Sequence, residues 1–227
     1  MTFFQSFLLT VAIVLPLWIL YAGYQAKKAA RPKARQLKQD SPTDFGYKMA
    51  WIALPTNHTA SVVEALRITR PQPATWQEGI AKAYQKRVFV TPPLAGWTLV
   101  AGVALFSNDE DDKWEALLSQ LSQHFGEAQY FATHRVVEHH QWIRYAQGEC
   151  LRHYAYLGES GAVLRAVGQP TELEQGLPIG SEDEETLALP DEELVMQMAA
   201  AWSINPTTLS SRTDIPPGPG LVGGFSI

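Results

Sequence analysis

The sequence predicts an α+β domain, a mostly antiparallel sheet with helices packed on one face, preceded by one N-terminal transmembrane helix. Three observations support that reading. Short apolar runs of strand length recur through residues 46–209. Tight turn signals at residues 92–96, 147–148 and 158–161 join successive runs, and turns this short connect antiparallel neighbours. Residues 1–26 hold no Asp, Glu, Lys, Arg or His.

Composition narrows the class. With 46% hydrophobic and 18% charged residues, the 227-residue chain is neither disordered nor collagenous, and it is not apolar enough to cross a membrane many times. Cys150 is the single cysteine, which excludes an intramolecular disulfide framework and a cysteine-based zinc site. The formal charge of −5 hides two opposite segments. Lys27, Lys28, Arg31, Lys33, Arg35 and Lys38 lie together without an acid, which leaves a balance of −10 over residues 41–227. A body so charged repels a phosphate backbone, so no nucleic-acid partner is expected.

The N-terminal segment reads as a membrane anchor. Phe7 to Tyr24 is uncharged for 18 residues, and a helix of about 20 residues crosses the hydrocarbon layer. Trp18, Tyr21 and Tyr24 gather at its C-terminal end, at the headgroup level that amphipathic rings favour, and Pro16 should kink it. A cleaved signal peptide would want a basic start and a small-x-small site, and neither precedes Lys27. By the positive-inside rule the six following cations stay in the cytoplasm. Residues 1–26 are therefore expected to anchor the chain in the inner (cytoplasmic) membrane by a single pass, with the C-terminal domain in the cytoplasm. Residues 27–45 read as a basic linker, residues 46–209 as a single α+β domain, and residues 210–227, rich in Pro and Gly, as a disordered tail.

Within the domain, residues 47–54 form a first strand, closed by Pro55. Ser61 and Glu64 have capping-box spacing and open a short helix to Ile68. Thr75 and Glu78 repeat the spacing, and Trp76, Ile80 and Tyr84 follow on one helical face. Residues 87–91 and 97–105 make a hairpin after Pro92-Pro93. Trp114, Leu117, Leu118, Leu121 and Phe125 give the most continuous helical stripe, stopped by Gly126 in the C′ position. Strands follow at 128–137, 140–146, 149–157 and 162–167. Gln147-Gly148 suits a type I′ turn. That register sets Trp142 opposite His153 and Ile143 opposite Arg152, with Ile143, Tyr145, Cys150, Tyr154 and Tyr156 on one face. The last helix spans 191–202, with Leu194, Val195, Met198 and Trp202 on one side and acids in its first turn.

One cluster could hold a metal. His134, Glu138, His139 and His140, with His153 in the next hairpin, offer four imidazoles and a carboxylate for zinc or ferrous iron, the donor set of a metal-dependent hydrolase. His134, Glu138 and His140 share a strand parity, and hence one face only if no bulge intervenes. The spacing is not His-Glu-x-x-His and the run reads as strand, so the expectation is exposed or cross-strand-paired histidines, with no metal and no cofactor. Gly158-Glu159-Ser160-Gly161 lacks the second glycine of a nucleophile elbow, since Ala162 stands there. Asp109, Glu110, Asp111 and Asp112, and the acids at 182–185 and 191–193, lack the spacing of a calcium loop. The first group is the candidate surface for a basic protein partner. No residue is assigned a catalytic role.

Three segments, Gly96-Trp-Thr-Leu-Val-Ala-Gly102, Gln129-Tyr-Phe-Ala-Thr-His-Arg135 and Trp202-Ser-Ile-Asn-Pro-Thr207, resemble an uncharacterised family of small bacterial proteins. The resemblance covers most of 48–209. In general type the chain is similar to immunity proteins of bacterial toxin systems, which are compact, acidic and aromatic-rich α+β proteins. That likeness implies a membrane-anchored, non-enzymatic protein-binding domain that neutralises a basic toxin. The alternatives are the metal-dependent hydrolase and a structural subunit of an envelope complex.

Overall fold

The computed structural model of the protein describes Tyr21 and residues 40–106, 112–178 and 189–226. The expected anchor, Tyr21 apart, lies outside the described residues. Among those residues no helix is long and apolar enough to cross a membrane. The domain lies within residues 37–227.

In chain order the elements are β1 (Met49–Leu54), α1 (Thr59–Ala65), β2 (Thr69–Ala74), α2 (Trp76–Ala83), β3 (Val88–Val90) and β4 (Thr98–Ala101). Then come α3 (Asp112–Phe125), β5 (Glu127–His134), β6 (His139–Ala146), β7 (Glu149–Leu157), β8 (Ala162–Gly168), α4 (Glu192–Trp202) and β9 (Gly220–Gly224). The nine strands form one sheet in the order β2-β9-β3-β4-β1-β5-β6-β7-β8, and every neighbouring pair is antiparallel. The α+β class and the antiparallel sheet agree with the sequence reading.

The placement of the helices does not. β1 lies mid-sheet, and all six of its residues are buried. Met49, Trp51 and Ala53 enter one core, whereas Ala50, Ile52 and Leu54 enter another. The first core is closed by α2 and α4 through Trp76, Ile80, Val195 and Met198. The second is closed by α1 and α3 through Val62, Trp114, Leu118 and Leu121. Helices therefore cover both faces rather than one. The unbroken apolar run of β1 is the pattern of a strand buried on both sides.

Local chemistry explains which starts and stops succeed. Glu78 N donates to Thr75 Oγ1 at 3.2 Å, and Thr75 N to Glu78 Oε2 at 3.4 Å, a complete capping box. The Asp40 carboxylate adds acceptors for Trp76 N (2.9 Å) and Gln77 N (3.1 Å) at the positive end of the same helix. Asp44 accepts from Ser210 N at 2.7 Å, so the end of the expected linker belongs to the domain. The Ser61 box does not form, because α1 starts at Thr59 and Ser61 already lies in its first turn. Tyr84 sits at the end of α2 rather than on its buried face, and its hydroxyl donates to Tyr47 O at 2.8 Å.

Two strands have no counterpart in the sequence reading. β2 contains Pro71 and Pro73, and it occupies an edge, where missing N–H donors cost least. β9 lies in the segment expected to be a disordered tail, and it pairs with both β2 and β3. Its glycines are required by close approach. A Cβ on Gly220 would lie 2.4 Å from Val90 O, and one on Gly223 would lie 2.1 Å from the Ile68 side chain.

The β6–β7 hairpin turns as expected, with Gln147 at φ +51° and Gly148 at φ +90°, both positive as type I′ demands. Its register shifts between Arg144 and Tyr145. Trp142 consequently faces Tyr154, Ile143 faces His153, and Arg144 faces Arg152. One extra residue on β7 reverses the parity of everything beyond it. Ile143, Tyr145 and Cys150 point to the second core, while Tyr154 and Tyr156 join Trp142 in the first. Trp142 and Tyr154 stack with centroids 4.7 Å apart.

Candidate functional site

The sequence-named histidines do not converge. β5 and β6 are joined by residues 135–138, with exposed Glu138 in the left-handed region at φ +50°. This turn pairs His134 with His139 and Thr133 with His140. Directly paired residues share a face, so His134 and His139 lie on the side of the second core and His140 on the side of the first. His140 is buried, with Nδ1 3.2 Å from Thr133 Oγ1. Burial, helped by neighbouring His139, lowers its pKa to about 4. His153 is buried, with Nδ1 3.6 Å from Glu115 Oε1 and Nε2 3.0 Å from Gln141 Nε2. Among the described residues, no three His, Cys, Asp or Glu side chains are placed to hold a metal ion. Asp109, Glu110 and Asp111 lie outside the described residues, and Asp112 begins α3.

His134 instead lines an open cavity of about 630 Å³ beside the second core. Phe106 and Phe225 supply aromatic wall, and Phe106 meets the His134 ring edge-on with centroids 5.3 Å apart. Lys48, Lys86 and Tyr84 complete the polar part of the lining, and among the described residues no acidic side chain lines it. Lys48 has φ +54° and Lys86 φ +61°. A lysine in this region costs roughly 1–3 kcal/mol of backbone strain. Lys48 precedes β1 and Lys86 follows α2, and the hydrogen bond from Tyr84 to Tyr47 O ties these two segments together. Burial raises the Tyr84 pKa, partly offset by the Arg135 guanidinium, so the phenol stays protonated and keeps that bond. The buried His134 Nδ1 has no hydrogen-bond partner among the described residues. Phe225 also lines an adjoining groove of about 360 Å³ that Arg67 and Lys113 flank.

A second feature lies at the end of the sheet. Among the described residues β8 pairs with no strand but β7, and the carbonyls of Val167 and Gly168 at its end accept from Arg152 Nη1. Leu164 and Val167 on β8 are 40% and 39% exposed, and Leu151 on neighbouring β7 is 46% exposed, which makes this edge apolar. Arg165 is the one charged residue on β8, and it is paired with Glu115 on α3 at 2.8 Å.

Of the pocket residues, sequence reasoning named only His134 as a candidate site residue, and Tyr84 only as part of a helical face. Lys48, Lys86 and Phe225 stand alone in the sequence, and only the fold assembles them. The β8 edge was visible as a strand, but its position at the end of the sheet was not. Comparison of the chain with protein-family models, curated proteins and solved structures finds no match.

Proposed function

We propose that the chain is a membrane-anchored, non-enzymatic protein-binding domain, with neutralisation of a toxin as its sharpest form. The β8 edge is the observation that supports this reading. The two ends of the sheet differ in kind. At β2, Pro71 and Pro73 remove two donors, which blunts an edge, whereas a register shift occurs at both ends, between Thr69 and Gln72 and between Ala155 and Tyr156. β8 runs seven residues without a proline, its exposed side chains include Leu164 and Val167, and its single charge is neutralised within the domain. Such an edge suits an extended segment of a partner, which adds a strand through main-chain hydrogen bonds and seats alternate side chains on the apolar surface. The balance of −10 over residues 41–227 speeds encounter with a basic partner.

The hydrolase alternative would need His134, Glu138 and His140 on one side, and the β5–β6 turn divides them. The test uses the full chain with Leu164→Lys and Val167→Lys, which are surface changes. Affinity capture from native cells, with metals measured in the same eluates, compares this variant with wild type. A protein retained by wild type and lost from the variant, and which slows amide exchange in β8, supports the reading. Identical captured proteins, or stoichiometric zinc or iron lost on His134→Ala or His140→Ala, would overturn it.

A further inference from the structure

We propose that the cavity lined by Lys48, Lys86, Tyr84, His134, Phe106 and Phe225 binds a small amphipathic anion. Its carboxylate or phosphate head would sit at the two lysines and its apolar body against the two phenylalanines. This site is separate from the β8 edge and stands or falls independently of it.

Three observations converge on that ligand. The cavity, at about 630 Å³, has the size of a small-molecule pocket. Its charge is one-sided among the described residues, because two lysines line it and no acidic residue does. An anion supplied from outside is the complement, and hydrogen bonds from ammonium to such an oxygen are of the stronger, charge-assisted kind. The aromatic wall is equally one-sided, and a bare inorganic ion would leave the half-buried rings of Phe106 and Phe225 uncovered on the cavity side. A ligand with both a charged and an apolar end uses both walls.

The geometry also shows why these residues hold their places. Both lysines sit on left-handed backbone, which aims them differently from their neighbours in sequence. The Tyr84 hydroxyl bonded to Tyr47 O joins the turn before β1 to the end of α2, so the two cations are held by one link. In the adjoining groove Arg67 and Lys113 lie past Phe225.

Two sources share this chemistry, a soluble organic acid or phosphate ester and the head group of an acidic phospholipid. The experiment uses the full chain in phosphatidylcholine nanodiscs and isothermal titration with hexanoate, phenyl phosphate, hexanol and inorganic phosphate. At least one of hexanoate and phenyl phosphate should bind, while hexanol and inorganic phosphate should bind roughly tenfold more weakly or not at all. Lys48→Gln with Lys86→Gln should weaken the anion roughly tenfold or more, and Lys48→Arg with Lys86→Arg should retain most of the affinity, which separates charge from folding. Replacing part of the lipid by phosphatidylglycerol distinguishes the sources: competition with the bound probe identifies the lipid head group, and its absence identifies the soluble ligand. The proposal is overturned if neither organic anion binds wild type, if hexanol binds as well as the anions, or if the glutamine pair binds unchanged.

Discussion

Arg152 and Glu174 form an ion pair at 2.7 Å with both side chains buried. The same Glu174 oxygen accepts from Trp142 Nε1 at 2.9 Å, and Glu174 Oε2 accepts from Thr171 N at 2.6 Å. Arg152 Nη1 donates to the carbonyls of Val167 and Gly168. One carboxylate thus fastens the segment after β8 to β6 and β7.

Glu174→Gln should therefore destabilise the fold by about 3–5 kcal/mol, because it leaves a buried guanidinium without a counter-charge. Arg152→Met combined with Glu174→Leu should cost less than either single change, since an apolar pair needs no compensation. Urea unfolding of the three variants checks this. A single variant within experimental error of wild type would show that the pair is exposed in solution.

His140 makes stability depend on pH. A free histidine titrates near 6.5, and His140 in the fold near 4, so between these values the unfolded chain binds a proton that the folded chain refuses. Stability is at its full value above pH ~6.5, falls by about 3 kcal/mol as the pH drops to ~4, and loses nothing further from this group below that. In His140→Gln the difference in urea midpoint between about pH 7 and about pH 4.5 should shrink. An equal difference in wild type and variant would remove His140 as the cause.

The β9 strand predicts a sharp contrast between glycines. Gly220→Ala should cost roughly 1–3 kcal/mol, because its new methyl meets the Val90 carbonyl. Gly218→Ala has open space at the same atom and should stay within about 0.5 kcal/mol of wild type. Thermal melts distinguish the two. Equal melting temperatures would mean that β9 does not sit between β2 and β3.

The N-terminal expectation is tested by topology. The uncharged segment 1–26 and the six cations after it predict that a fluorescent reporter fused after Ile227 matures in the cytoplasm. An alkaline phosphatase fused at the same point should stay inactive there. Active phosphatase, or a mature N-terminus near residue 27, reverses the assignment.

The elements legible in the sequence were those whose signals are local. Thr75 and Glu78 sit three apart and cap α2 as read, and the Trp114–Leu121 stripe with Gly126 behind it gave α3. Gln147-Gly148 set a turn, but pairing beyond it depended on a bulge that no composition marks. β2 and β9 were hidden because Pro and Gly read as loop, and only an edge position and a crowded interior position respectively make them strand. His134 was visible as part of a histidine cluster, yet its neighbours in the cavity come from residues 48, 86, 106 and 225, which no spacing rule connects.

The insertion of β9 also divides the sheet by folding speed. β5, β6, β7 and β8 follow one another through short turns, so each pairing closes a small loop. The pairing of Thr69 with Gly224 closes a loop of 155 residues. Loop-closure entropy makes the first half quick and the second slow. Until β9 arrives, β2 and β3 present two unpaired edges to one another and to any other chain nearby, and the refolding protein passes through a species whose hazard is association rather than collapse.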